Sequence, residues 1–380
     1  MKTYPLFKVH VPVDQALSNI KDVFSSGFIN EGEQVTKLTT ELQRVLRSNR
    51  LILMNSCTSA LTLALHLAGV GPRDEVIATP MTCVASNTPI AAAGARIVWA
   101  DINPNTGMID PLDIIKKITH RTKAVMAVAW AGTPPELEAI KSICAAQGIK
   151  LILDAAHAFA AGYKKKPIHE WADYTCYSFQ AIKHFTTGDG GALICADDDD
   201  YRRSKSLKWF GLDRDHAKNE KGEWKGQQWD VDIVEIGYKF NMNNVAAAIG
   251  LAQLDYIDDI LGMHQFHAHV YDLLFTDNRF IAPVERPLGG ESSFWVYTMK
   301  VSKESCLSRD ELLKALNAEG IMAGVVHVPN DDYTAFREFK SDLPGVREFS
   351  SNQLSIPCGW WLNRGDIEHI AARVKGLTQR

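Results

Sequence analysis

Val13, Ala16, Leu17, Ile20, Val23 and Phe24 recur at three- and four-residue intervals, which predicts an amphipathic helix. An extended lead, residues 5–12, precedes it, and SSGF at 25–28 with Gly32 ends it. A second helix is expected with Val35, Leu38, Leu42 and Val45 inward. From residue 50 the rhythm changes. Short apolar runs at 51–54, 75–79, 97–100, 124–130, 150–153, 174–179 and 192–195 read as buried strands. Helical patterns fall between them: from NSCTSAL at 55–61 to about Ala68, then at 86–93, 111–118 and 135–147. Alternating strands and helices predict an α/β fold with a mostly parallel mixed sheet flanked by helices.

Ligands of such sheets sit beyond the carboxyl ends of the strands. Asp154, the 55–59 turn and residues 178–183 lie at such ends. Residues 212–230 are polar and rich in glycine and lysine, and read as an exposed loop, mobile without ligand. A long helical pattern runs from about 243 to 261. Beyond it a strand at 294–301 and helices at 309–319 and 365–377 suggest a smaller α+β domain. The expected division is 1–255 for the large domain and 256–380 for the small one.

The composition narrows the function without naming it. The net charge of −4 offers no basic footprint for nucleic acid, and no apolar run approaches a membrane span. The seven cysteines are scattered and none forms a Cys-x-x-Cys pair, so neither a disulfide framework nor a metal site is suggested. The N-terminus lacks an apolar signal segment, and a cytoplasmic protein with reduced thiols is expected.

The stretch SFQAIKHFTTGDGG at 178–191 carries Lys183 between Ser178 and a glycine turn. Alone, Lys183 could be a solvated charge, Asp154 a turn residue, and the hydroxyls of NSCTSAL a helix cap. Together they meet the demands of a phosphorylated pyridine aldehyde. Its phosphate needs a helix N-terminus, here with Ser56, Thr58 and Ser59. Its ring nitrogen needs a carboxylate, here Asp154, and its aldehyde needs a lysine, here Lys183, that can form a Schiff base and move protons.

The motifs extend this reading. PLFK at 5–8, SGFINEG at 26–32, NSCTSALTLALHLAGVGPRDEVIATP at 55–80, DINPNTGMID at 101–110, DAAHA at 154–158, the 178–191 stretch and GYKFNMNNVAAAIGLAQL at 237–254 occur in order. In these the chain resembles the DegT/DnrJ/EryC1/StrS sugar aminotransferases, fold-type I enzymes dependent on pyridoxal 5′-phosphate. The resemblance implies that Lys183 carries the Schiff base and Asp154 pairs with the ring nitrogen. It implies that His157 bonds the phenolic oxygen, and that Thr58, Ser59, Ser178 and the backbone at Cys57 hold the phosphate. It also implies a homodimer whose partner subunit reaches the phosphate from the GYKFNM segment, through Lys239 or Asn241. The substrates implied are an amino donor, L-glutamate, and a keto-sugar carried on a nucleotide, with pyridoxamine 5′-phosphate as the intermediate form of the cofactor.

This chain departs from the family in places. Cys83 stands where many members stack an aromatic on the ring, and Lys239 replaces a usual asparagine. HVPND at 327–331 differs from the commoner pattern, leaving His327, Asn330, Asp331 and Arg214 as substrate candidates. The tryptophans at 209, 229, 295, 360 and 361 could stack on a sugar or base but read first as core or interface, and His184 should face away from the ring. The rival readings are a sugar dehydratase on the same fold, whose members replace the lysine, and a scaffold without turnover.

Overall fold

The computed structural model describes residues 2–213, 225–227 and 229–379. Arg214 and most of the expected 212–230 loop lie outside the described residues. Trp229, at the end of that stretch, is exposed within this chain. Strands β1 (Leu51–Met54), β2 (Glu75–Ala78), β3 (Arg96–Trp99), β4 (Thr122–Val128) and β5 (Lys150–Asp154) come first. Two short strands follow, β6 (Gly162–Tyr163) and β7 (Lys166–Pro167), then β8 (Tyr174–Ser178) and β9 (Gly191–Cys195). The main sheet has seven strands in the order β1-β9-β8-β5-β4-β2-β3. Within it β9 runs antiparallel to both neighbours, and the other pairings are parallel.

These strands read as unbroken apolar runs because both faces are covered. In β1, Ile52 and Met54 join the core on one face and Leu51 and Leu53 the core on the other. Helix α1 (Val13–Ser26) and α2 (Glu33–Leu46) precede the sheet. Helices α3 (Cys57–Leu67), α4 (Val84–Ala92), α5 (Pro111–Lys117), α6 (Leu137–Gln147) and α7 (Asp198–Leu207) are threaded among the strands.

The apolar stripe of α1 is only partly used within the chain. Ala16 and Val23 are buried, whereas Val13, Leu17 and Phe24 are each more than half exposed. The pattern expected from 243 to 261 divides into α8 (Asn244–Gln253) and α9 (Ile257–Phe275), separated by a tight turn at Leu254–Tyr256. The Gln253 side chain spends its hydrogen bonds on the Thr186 backbone at that break. Helix α9 outruns the expected end because His264, His267 and Tyr271 are buried in it, and polar residues on the inner face hide the apolar period.

The remaining chain builds a second sheet. Strand β10 (Ile281–Pro283) pairs with β12 (Tyr297–Val301), which pairs with β13 (Gln353–Ile356), while β11 (Gly290–Glu291) pairs back onto β6. Helices α10 (Arg309–Ala318) and α12 (Arg364–Thr378) pack here, each opened by a reciprocal capping box, at Ser308/Glu311 and Asn363/Asp366. Tyr4 of the lead enters this core and bridges to Ile321. Helix α11 (Pro344–Asn352) packs Val346 and Phe349 into the main-sheet core, with Phe349 edge-on to Trp130.

Candidate active site

Asp154 is the last residue of β5 and is 3% exposed. Its carboxylate accepts the Ser86 hydroxyl at 2.6 Å and the Ala156 N–H at 3.0 Å. Burial raises its pKa, and the Ser86 and Ala156 donors and the Lys183 amine act the other way. Cys57 Sγ lies 4.0 Å from the same carboxylate. Asp154 pairs in register with Cys176 of β8, and Ser178 at the end of β8 pairs with Gly191 of β9. One strand edge thus carries Asp154, Ser178 and the start of β9.

Gly191 is a contact point between that edge and α3. A Cβ there would lie 2.5 Å from the Cys57 nitrogen and 2.7 Å from the Tyr177 oxygen. Only glycine lets the strand come so close to the helix N-terminus. Ser56 caps α3 by accepting the Ser59 N–H at 3.0 Å. The Ser59 hydroxyl is drawn inward to Asn55 at 2.6 Å, while Thr58 is exposed at the first turn. The helix N-terminus therefore presents Cys57 and Thr58, and Ser59 serves the cap.

Lys183 sits in a loop pinned at both ends. Phe179 N–H donates to the Gly190 carbonyl at 2.9 Å, and Phe179 and Phe185 are buried with their rings 5.0 Å apart, edge to face. The Lys183 residue is half-buried, and its amine is drawn out of water, 3.9 Å from the centroid of the Trp295 ring. Burial pulls its pKa down to about 8, against the opposing pull of Asp154. His184 Nε2 bonds to the Ser293 carbonyl at 3.0 Å.

His157 is buried, and its Nδ1 accepts the Ala131 N–H at 3.3 Å. Nδ1 is therefore unprotonated, and the neutral ring carries its proton on Nε2 as a donor. Burial holds its pKa well below the usual histidine value. His157 is sandwiched in a stack, 3.9 Å from Trp295 and 5.2 Å from His327 by ring centroids. Burial also lowers His327, to about 4, and its Nε2 has no hydrogen-bond partner among the described residues.

The other candidates fall into different surroundings. Asn330 is buried and clamps the loop before α4. It donates to the Thr82 carbonyl and accepts from Asn87 Nδ2, both at 2.8 Å. Asp331 is ion-paired with Arg347. Asn330 thus ties its turn to the loop before α4, and Asp331 ties it to α11. Cys83 is the N-cap residue of α4, half-buried, and close enough to act on the Lys183 amine. Lys239 donates to Asn241, its amine 3.8 Å from the Trp209 ring centroid, and Asn241 donates to Asn30 at 3.1 Å. Their segment runs beside Asn55 of the same chain, whose N–H donates to the Phe240 carbonyl at 2.7 Å.

Two contributors are not marked as part of this pocket by the sequence pattern. Ser86, the hydroxyl partner of Asp154, is an unremarkable serine in α4. Trp295 is, in sequence, one tryptophan among several. A cavity of about 870 Å³ lies at the opposite ends of the strands, lined by Arg50, Lys150 and Asp173 among others. Two of its charges pair locally, Lys150 with Asp173 and Arg50 with Asp198, and it holds none of the residues above.

The sequence match to the DegT/DnrJ/EryC1/StrS aminotransferase family runs over residues 13–375. This chain belongs to that family. It is 31% identical over 376 residues to the UDP-4-amino-4-deoxy-L-arabinose–oxoglutarate aminotransferase of Shewanella sediminis, covering 96% of each chain. Among solved structures it superposes on the sugar aminotransferase CalS13 of Micromonospora echinospora with a TM-score of 0.90, at 32% identity, covering 98% of this chain and 99% of that one. The PLP-form of the putative sugar aminotransferase Spr1654 from Streptococcus pneumoniae gives 0.89 at 26% identity, covering 100% and 99%. The enzyme is thus an aminotransferase with the α/β architecture of this family. Among the described residues no helix is long and apolar enough to cross a membrane.

The residues present fit the family's cofactor. The buried Asp154 carboxylate suits a pyridinium nitrogen, the Nε2–H of His157 suits a phenolate, and the exposed Thr58 in the first turn of α3 suits a phosphate.

Proposed function

We propose that this enzyme uses pyridoxal 5′-phosphate to move an amino group from L-glutamate to a keto-sugar carried on a nucleotide, in the cytoplasm, in the making of amino-sugars for surface polysaccharide. One observation carries the reading. A desolvated lysine amine with its pKa brought to about 8 shares a pocket with a buried carboxylate raised by burial. Such opposed perturbations mark a site built for proton movement. The named nucleotide-sugar transaminase among its relatives supports the substrate class.

Asp154 would hold the ring nitrogen, and His157 Nε2–H the phenolic oxygen. The Cys57 and Thr58 end of α3, with Ser178, would hold the phosphate. When bound, the cofactor supplies an aldehyde that accepts an amine and a ring that withdraws electrons from the donor's α-carbon. Lys183 would do the proton work: its lowered pKa leaves part of the amine unprotonated at ordinary pH, able to take the α-proton of the donor and return it on the far side of the transferred nitrogen. Ser86 and the Ala156 N–H fix the Asp154 carboxylate in one orientation. The stacked rings of Trp295, His157 and His327 keep water from one side of the amine.

The exposed apolar residues of α1, with Ile233, Val234 and Ile236, support a homodimer, because a lone chain would leave them in water. In that dimer the Lys239–Asn241 segment would face the partner's phosphate site. The test is the reverse half-reaction. Enzyme reconstituted with pyridoxal 5′-phosphate is offered a panel of nucleotide-linked amino-sugars, then 2-oxoglutarate. Loss of the cofactor's visible absorbance with one sugar, and glutamate formation on the second addition, is the expected result. No response to any amino-sugar, with turnover of simple amino acids alone, overturns the substrate class.

A further inference from the structure

We propose that Trp295 is a positioning residue, whose indole face holds the Lys183 ammonium over the pocket while its edge fixes the peptide that carries that lysine. The proposal rests on the reading above only for why Lys183 matters.

One side chain makes four contacts. The Lys183 amine is 3.9 Å from its ring centroid. Its Nε1–H donates to the carbonyl of Ile182 at 2.8 Å, the peptide that leads into Lys183. Its face stacks on His157 at 3.9 Å and 15°. Phe7 from the N-terminal lead stacks on it at 4.6 Å and 26°. The backbone of Trp295 is fixed in turn, its N–H donating to the Ala131 carbonyl at 3.0 Å, so the same turn orients both the indole and His157.

The electrostatics give the indole work to do. The groups that face the Lys183 amine are Asp154 from β5, Cys57 from α3, Cys83 at the start of α4, and the imidazoles of His157, His327 and His184. Burial keeps the Cys57 thiol protonated and the three imidazoles neutral. Beside the Asp154 carboxylate, the ammonium meets the negative face of the Trp295 indole. Tryptophan offers the strongest such face of any side chain, and the interaction grows when water is excluded. Phenylalanine would supply a face without the N–H. Leucine would supply neither.

The test titrates Lys183 in the cofactor-free protein. Trace acetylation across pH is read by mass spectrometry of the peptide that carries Lys183. Tryptophans with one to four ring fluorines are placed at position 295, which drains the face of charge and leaves its shape. The midpoint should fall stepwise, reaching roughly half to one and a half pH units at full fluorination. Trp295→Phe should stay closer to the parent than the fully fluorinated form does. A role in packing alone predicts the reverse: a flat midpoint across the fluorinated series and a shift in the phenylalanine variant. That outcome overturns the proposal. Since no cofactor or sugar is present, a failed transamination assay would leave this result standing, and a flat titration would leave the aminotransferase reading intact.

Discussion

Asp154, Ser178 and Lys183 stand at one end of one sheet and the turn that leaves it, whereas Trp295 and His327 reach the same pocket from chain segments that follow the main sheet. The first group is a floor and the second a wall. The floor is made of strand ends and the turns that leave them, so its geometry follows from the sheet's register. The wall depends on how the lead, the 129–133 turn and the 292–330 segments pack together. The floor's polar groups are tied down by short donors such as Ser86. The wall keeps an imidazole nitrogen unpartnered among the described residues, at His327 Nε2. We propose that such a floor fixes the chemistry and such a wall chooses what is brought to it.

The largest expected break is Lys183→Ala. It removes the amine we propose to move the proton and leaves the fold and the wall alone. Turnover should fall about ten-thousand-fold, measured by glutamate release from the half-reaction. Turnover within tenfold of the parent would mean that another group moves the proton, and the floor would lose its distinction.

Asp154→Asn separates chemistry from stability. Turnover should fall between about 100- and 10,000-fold. The cofactor-free protein should nevertheless become more stable at pH 7, by about 1 kcal/mol. Asp154 has its pKa raised in the folded state, so the folded chain holds a proton that the unfolded chain releases as pH rises. Stability from this group is present at low pH and is lost as pH climbs through the raised value. The thermal midpoints of variant and parent should therefore converge as pH drops below about 4 and part as it rises. A destabilised variant at pH 7 would show that the buried charge is already well compensated.

This contrast also explains what the sequence can tell. Asp154, Lys183 and the 55–59 turn are legible because each follows an apolar strand run, and strand ends are where parallel sheets gather ligands. Ser86 is not legible, because its link to Asp154 is made by α4 folding over the strand edge. Asn330 reads from the sequence as a substrate contact, yet its amide closes on Thr82 and Asn87. A polar residue near a site looks the same in a sequence whether it binds a ligand or a loop. The apolar stripe of α1 is legible as a helix face, but periodicity does not say that half of it remains uncovered within the chain. The break at Gln253 is hidden for a similar reason, since its bonds go to Thr186, far along the chain.

Gly191→Ala probes the seam where the floor meets α3. The new Cβ would press on the Cys57 nitrogen, the Ser56 carbonyl carbon and the Tyr177 oxygen, all backbone atoms that cannot rotate aside. Unfolding stability should drop by about 3 kcal/mol. Affinity for pyridoxal 5′-phosphate should weaken roughly tenfold, if about half of that strain falls on the helix N-terminus. Denaturant melts and cofactor titration read the two effects separately. A loss of stability with unchanged cofactor affinity would place the phosphate elsewhere.

Phe7→Ala is the mildest test, and it acts on the wall alone. The lead stays attached without the ring. Trp361 Nε1–H donates to the Pro5 carbonyl at 3.1 Å and Trp360 Nε1–H to the Lys8 carbonyl at 3.2 Å. Tyr4 N–H also donates to the Gly320 carbonyl at 2.8 Å. What the variant loses is the ring that backs Trp295, worth about 1 kcal/mol beyond its buried area. The specificity constant kcat/KM should fall roughly 2- to 10-fold, with most of the change in KM, since the proton-moving groups keep their places. The Lys183 titration in the cofactor-free protein should move little, because the indole face itself remains. Should Phe7→Ala cost as much turnover as Asp154→Asn, the lead would belong to the chemistry, and the division between a floor that reacts and a wall that selects would fail.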